Sequence, residues 1–68
     1  AAILFRQAEL LYNLQKYNEA VTVYQNILSR YPNTETAKQT WLWIGLTYLK
    51  EGEPEKAKSA FLQQLSFA

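Results

Sequence analysis

The side chains able to do chemistry in this 68-residue chain are three serines (Ser29, Ser59, Ser66) and six glutamates, and neither set is equipped to use it. A serine nucleophile needs a base to take its proton, usually a His oriented by a carboxylate. The chain has no His, no Cys and no Asp. Two glutamates could in principle divide acid and base roles. Glu51, Glu53 and Glu55, however, alternate with Gly52 and Pro54 in a stretch that reads as a solvated turn. With neither imidazole nor thiolate, zinc and haem lose their usual ligands and no disulfide can form. The chain is therefore expected not to be an enzyme and to carry no cofactor or metal.

The charges point the same way. Seven Lys and Arg stand against six Glu, a net charge of +1, and the two signs are interspersed. No basic stripe is available to neutralise a phosphate backbone, so no nucleic-acid partner is expected. No apolar run approaches the roughly 18 residues that a membrane-spanning helix needs. The missing cysteines fit a cytoplasmic protein and equally one of the bacterial periplasm or cell envelope. A start at Ala1-Ala2-Ile3 without Met, and a stop soon after Leu65, lead to the expectation of a fragment of a longer protein.

What remains is apolar surface. Hydrophobic residues make up 49% of the chain, too many for disorder, and its Ala, Leu, Gln, Glu and Lys favour helices. Four helical stretches follow from the spacing. The first runs from Ala2 to Leu14, with Leu4, Ala8 and Leu11 on one face, widened by Ile3, Leu10 and Leu14. The second runs from Tyr17 to Arg30, where Ala20, Tyr24, Ile27, Leu28 and then Tyr31 recur in steps of three and four until Pro32 stops it. Asn33 or Thr34 can cap the third, from Glu35 to Glu51, whose stripe is Ala37, Trp41, Ile44, Gly45 and Tyr48. Gly52 ends it, and Pro54 suits the first turn of a fourth helix carrying Ala57, Ala60, Phe61 and Leu65. The short connections make consecutive helices antiparallel neighbours, so the expected fold is all-α: two helical hairpins.

The hairpins repeat. Displaced by 37 positions, Ala20 falls on Ala57, Leu28 on Leu65, Ser29 on Ser66, Tyr24 on Phe61, Ala8 on Gly45, Leu11 on Tyr48 and Leu4 on Trp41. Small residues meet small ones and large apolar residues meet large ones. Two helices approach closely only where a small side chain faces the neighbour, which Ala8 and Ala20 supply in one unit and Gly45 and Ala57 in the other.

This spacing resembles the tetratricopeptide repeat, W-x2-L-G-x2-Y, then A-x3-F, then P. The second unit has Trp41-x2-Ile44-Gly45-x2-Tyr48, then Ala57-x3-Phe61. The first has Leu4-x2-Gln7-Ala8-x2-Leu11, then Ala20-x3-Tyr24, then Pro32, with Gln7 departing from the usual Leu. The resemblance covers nearly the whole chain and implies a short right-handed α-solenoid, with unit 1 over about residues 1–34 and unit 2 over about 35–68. The stretch Tyr31-Pro32-Asn33-Thr34, followed by Trp41 and Gly45, is similar to a bacterial subgroup that includes cell-envelope proteins of the Tol–Pal and outer-membrane assembly systems.

The resemblance also implies a scaffold that binds a protein or peptide in a concave groove lined by the first helix of each pair. Transferred here, the lining is Phe5, Glu9, Tyr12 and Asn13, then Leu42, Leu46, Leu49 and Lys50. The helical wheel supports part of this independently. Leu42, Leu46 and Leu49 form a second apolar stripe one residue, about 100°, round the helix from Trp41 and Tyr48, and Phe5 and Tyr12 occupy the same stripe on the first helix. Members that clamp a C-terminal carboxylate use Lys and Asn where Phe5, Glu9 and Trp43 stand here, so an acidic C-terminal peptide is not the expected ligand. Trp43, nearly opposite the Trp41–Tyr48 stripe, is either an interface anchor or a cover for the neighbouring hairpin. Leu62, Leu65 and Phe67 on the last helix lack a covering helix. Repeat arrays need polar ends, so the alternative function is self-association, a homo-oligomer pairing through open apolar ends.

Overall fold

The computed structural model describes residues 2–66. Four α-helices follow one another: α1 (Ala2–Asn13), α2 (Tyr17–Arg30), α3 (Glu35–Lys50) and α4 (Pro54–Leu65). They form two helical hairpins in an all-α stack. α2 lies between α1 and α3, and α4 packs on α3.

α1 and α3 each stop one residue short of the end that apolar periodicity predicts, and both stop in the same way. Gln15 and Gly52 are 37 positions apart and both take a left-handed backbone, with φ of 63° and 77°. The Gln15 N–H donates to the Tyr12 carbonyl and the Lys16 N–H to that of Leu11, at 3.0 and 2.8 Å. Gly52 donates to Leu49 and Glu53 to Tyr48, at 3.1 and 2.9 Å. Each turn is a Schellman motif that satisfies the last carbonyls of its helix. Glycine enters that conformation freely, whereas a residue with a Cβ pays about 1–2 kcal/mol. The first turn therefore carries strain that the second does not.

The turn between the hairpins is built differently. Pro32 ends α2. Asn33, a residue that tolerates left-handed geometry, sits at φ 58°. Of the two residues able to cap α3, Thr34 does so: its Oγ1 accepts from the Ala37 N–H at 3.1 Å and donates to the Tyr31 carbonyl at 2.8 Å.

The core runs along the seams. Ala8, Ala20, Tyr24, Ile27, Ile44 and Ala60 are buried together, with Leu4, Leu11, Leu28, Trp41 and Tyr48 partly buried against them. Ala57 is buried as well, so the small residues stand at the close contacts. A Cβ built on Gly45 would run into the Phe61 ring, with Cδ1 and Cζ only 2.7 and 2.8 Å away and Cε1 nearer still. Phe61 thus occupies the volume that any side chain at 45 would need.

Two features of α3 were not legible as core. Thr40 and Thr47 are buried. Each hydroxyl donates to the carbonyl four residues back, Thr36 or Trp43, at 2.7 Å. That bond satisfies the group within the helix and leaves a small side chain that can be buried without an unpaired polar atom. Conversely, Ile3, Leu10 and Leu14, which widen the apolar face of α1 in the sequence, are 83%, 57% and 66% exposed. Only Leu4, Ala8 and Leu11 of that helix's predicted face turn to the core. Tyr31, the last member of the α2 stripe, is also exposed.

Two stability predictions follow from these contacts. Gln15→Gly, which relieves the left-handed strain, should raise unfolding free energy by about 0.5–1 kcal/mol in urea titration, the difference between the strain removed and the added freedom of the unfolded chain. Gly45→Leu should abolish the cooperative thermal transition, because overpacking at a helix contact that already excludes a methyl group has no room to relax. A Gly45→Leu chain that melts like the parent would disprove the close-contact role.

Candidate functional site

α1 and α3 meet through an aromatic contact at one edge of the stack, Tyr12 against Trp43, edge to face with ring centres 6.3 Å apart. Tyr12 also meets Tyr17 at 5.5 Å, while Phe5 stands edge-on to Tyr24 at 6.3 Å. Such edge-to-face pairs hold ring orientation as well as burying area. Between the two helices they leave an open hollow of about 440 Å³, lined by Phe5, Glu9, Tyr12 and Asn13 of α1, Gln39 and Trp43 of α3, and Tyr24 from beneath.

All four α1 residues expected in a groove thus line one surface. Their α3 counterparts do not line this hollow. Leu42 and Leu46 are half-buried, and Leu49 and Lys50 are exposed at the far end of the helix. The wall on the α3 side is Trp43, assigned in the sequence only to one of two roles; its ring covers Tyr12 of the neighbouring hairpin and keeps about a third of its surface exposed. Gln39 was not singled out. The signal for it was present, since Gln39 and Trp43 are one turn apart and present the same side of α3 as they approach α1.

Glu9 is the one ionisable carboxylate in the lining, and its field reaches into the floor. The Tyr24 hydroxyl is pushed up from 10.0 to about 12, first by burial, then by the negative charge of Glu9 and by Tyr12. The hollow therefore joins aromatic walls to a single negative charge, an environment suited to apolar, aromatic or basic side chains and unfavourable to carboxylates. Among the described residues, no group of three or more His, Cys, Asp or Glu could hold a metal ion. Among the same residues, no helix is long and apolar enough to cross a membrane.

The remaining expected interface residues lie at the end of the stack. Leu62 and Leu65 on α4 are 55% and 77% exposed. Phe67 lies outside the described residues.

Two tetratricopeptide repeat family models match the chain in tandem, over residues 2–34 and 38–68. The chain belongs to the tetratricopeptide repeat family. No curated protein and no solved structure was found to be significantly similar to it. Tetratricopeptide repeats are in general protein–protein interaction modules and form a non-catalytic scaffold family.

The buried tyrosine supplies a test of the floor. Because its folded value is raised, Tyr24 contributes its full stability below about pH 10 and loses it as pH climbs from about 10 towards 12, where the unfolded chain ionises first. The loss amounts to at most about 3 kcal/mol. Urea unfolding between pH 9 and 12 should show this decline, and Tyr24→Phe should reduce it. An identical decline in Tyr24→Phe would show that the hydroxyl is not held out of water at this site.

Proposed function

We propose that this repeat pair binds a peptide segment or partner helix across the concave side of α1 and α3, with the Phe5–Tyr12–Trp43 hollow as the anchor point. The single observation that supports this most is the hollow itself, in which partly exposed rings from two hairpins surround one carboxylate. Leu42, Leu46, Leu49 and Lys50 extend the same side of α3 and complete the groove. The favoured segment is amphipathic, offering an apolar or aromatic side chain to the rings and a Lys or Arg to Glu9. An acidic segment is disfavoured on charge.

A second reading is supported by a separate observation. The outward face of α1 exposes Ile3, Leu10 and Leu14, and α4 exposes Leu62 and Leu65. Solvated leucines at both ends of a stack are surfaces for self-association.

The groove is tested with an amphipathic Leu/Lys peptide and its Leu/Glu counterpart, following tryptophan fluorescence. The basic peptide should bind at least tenfold more tightly than the acidic one. Glu9→Arg and Leu46→Glu, both made without loss of helicity, should each weaken it several-fold, since each tenfold step corresponds to about 1.4 kcal/mol. If neither substitution changes affinity, the groove is not the binding surface.

A further inference from the structure

The contact between the two hairpins contains a pattern that the ends of the stack repeat. α2 and α3 pack on each other. Val21, Tyr24 and Ile27 of α2 are buried and Leu28 partly so, and on α3 Ala37, Thr40, Ile44 and Thr47 are buried. Ile27 and Ile44, both fully buried, are the large aliphatic side chains that these two helices contribute to one core cluster. Thirty-seven positions away, the same places are held by Gln64 on α4 and Gln7 on α1. Both members of this apolar pair have become amides together.

We propose that a second copy of this chain continues the stack head to tail, the outer face of α4 in one copy docking on the outer face of α1 in the next, in the register that α2 and α3 use internally. This rests on the self-association reading and specifies its geometry. In that register Gln64 of one copy meets Gln7 of the next, and each amide offers the other a donor and an acceptor. An unrelated helix with an apolar residue at this layer would leave Gln7 covered and unpaired, at a cost of about 1–3 kcal/mol. The flanking layers match too. Leu65, in the place of Leu28, comes to the N-terminal end of α1, where Ile3 is almost fully exposed. Lys58, in the place of Val21, comes to the C-terminal end of α1, whose last turn carries no basic residue of its own. A cation is favourable at that end of a helix. The contact is heterologous, so each copy keeps one free end of each kind and the assembly grows as an open array.

Light scattering and sedimentation of the whole chain decide the matter, with Ile3→Glu blocking one end and Leu65→Glu the other. Both positions are exposed, so helicity should be unchanged. The parent chain should show an average mass that rises with concentration without a plateau. Each variant alone should remain monomeric at concentrations where the parent associates. An equimolar mixture should form a species of twice the monomer mass and go no further, because each variant retains the end that the other has lost. A parent that stays monomeric would overturn self-association altogether. A parent that associates while the mixture stays monomeric, or while either variant alone still dimerises, would leave self-association standing and overturn the head-to-tail geometry. Gln7→Lys and Gln64→Lys form a second pair with the same logic should a leucine or isoleucine change disturb the fold.

Discussion

How near two helices can come is the constraint on which this molecule depends. At Gly45 the answer is a backbone without a Cβ, with the Phe61 ring laid in the vacated space. In the first hairpin Ala8 and Ala20, both fully buried, allow the equivalent approach beneath Tyr24. Once these contacts are made, the large residue one turn along each second helix has a defined place, and the two hairpins present matching seams. The stack is thin: its Cα atoms span 32 × 28 × 13 Å. A plate of that depth has little interior, so most helices keep a solvated face, and the faces rather than the core give the protein its means of interaction.

The two units solve the same local problems with different residues. The Schellman turn is stress-free at Gly52 and strained at Gln15. The ion pair at the start of the second helix is Lys16 to Glu19 in one unit and Glu53 to Lys56 in the other, the same two positions with the signs exchanged. Both pairs are exposed and contribute little on their own. Lys56 in addition lies 5.7 Å from the centre of the Tyr48 ring, a contact for which Glu19 and Leu11 have no equivalent. The repeat is therefore conserved in geometry more than in chemistry. Backbone hydrogen bonds and small-residue contacts are what the 37-residue period preserves.

Helices, turns and close contacts were readable from spacing because each depends on neighbours in the chain: Pro32, the Thr34 cap, Gly52, and the Ala and Gly positions. Exposure was less readable, and for one reason. Periodicity tells that α1 has apolar residues on two adjoining stripes, but not which stripe a neighbouring helix covers. Ile3, Leu10 and Leu14 look like a widened core face, yet a helix equivalent to α2 would have to precede α1 to bury them. Thr40 and Thr47 mislead in the opposite sense, because a hydroxyl bonded to its own helix behaves in packing as a small, satisfied side chain. The register of 37 carried the missing information: Thr40, Ile44 and Thr47, all buried, fall on Ile3, Gln7 and Leu10, all exposed. In the hollow, the α1 half was legible from the family pattern. The Trp43 wall depends on a side-chain contact between two hairpins that no local spacing encodes.

The hollow and the outer faces use different sides of the same helix, and this links them. Phe5, Glu9 and Tyr12 face the groove, while Ile3, Gln7 and Leu10 face away from α2 and α3, so a peptide and a second copy can occupy α1 together. Between hairpins of one chain the groove is bridged by Tyr12 and Trp43. Between copies stacked in the same register, the bridging positions are Leu49 of one and Arg6 of the next. Stacking in this way would lengthen the groove and bring a basic group beside Leu49. A ligand that spans that junction gains contacts only in the stacked state. By linkage it must then strengthen association by the same factor that association strengthens its binding. A ligand confined to the Phe5–Tyr12–Trp43 hollow touches one copy alone and leaves the association equilibrium where it was.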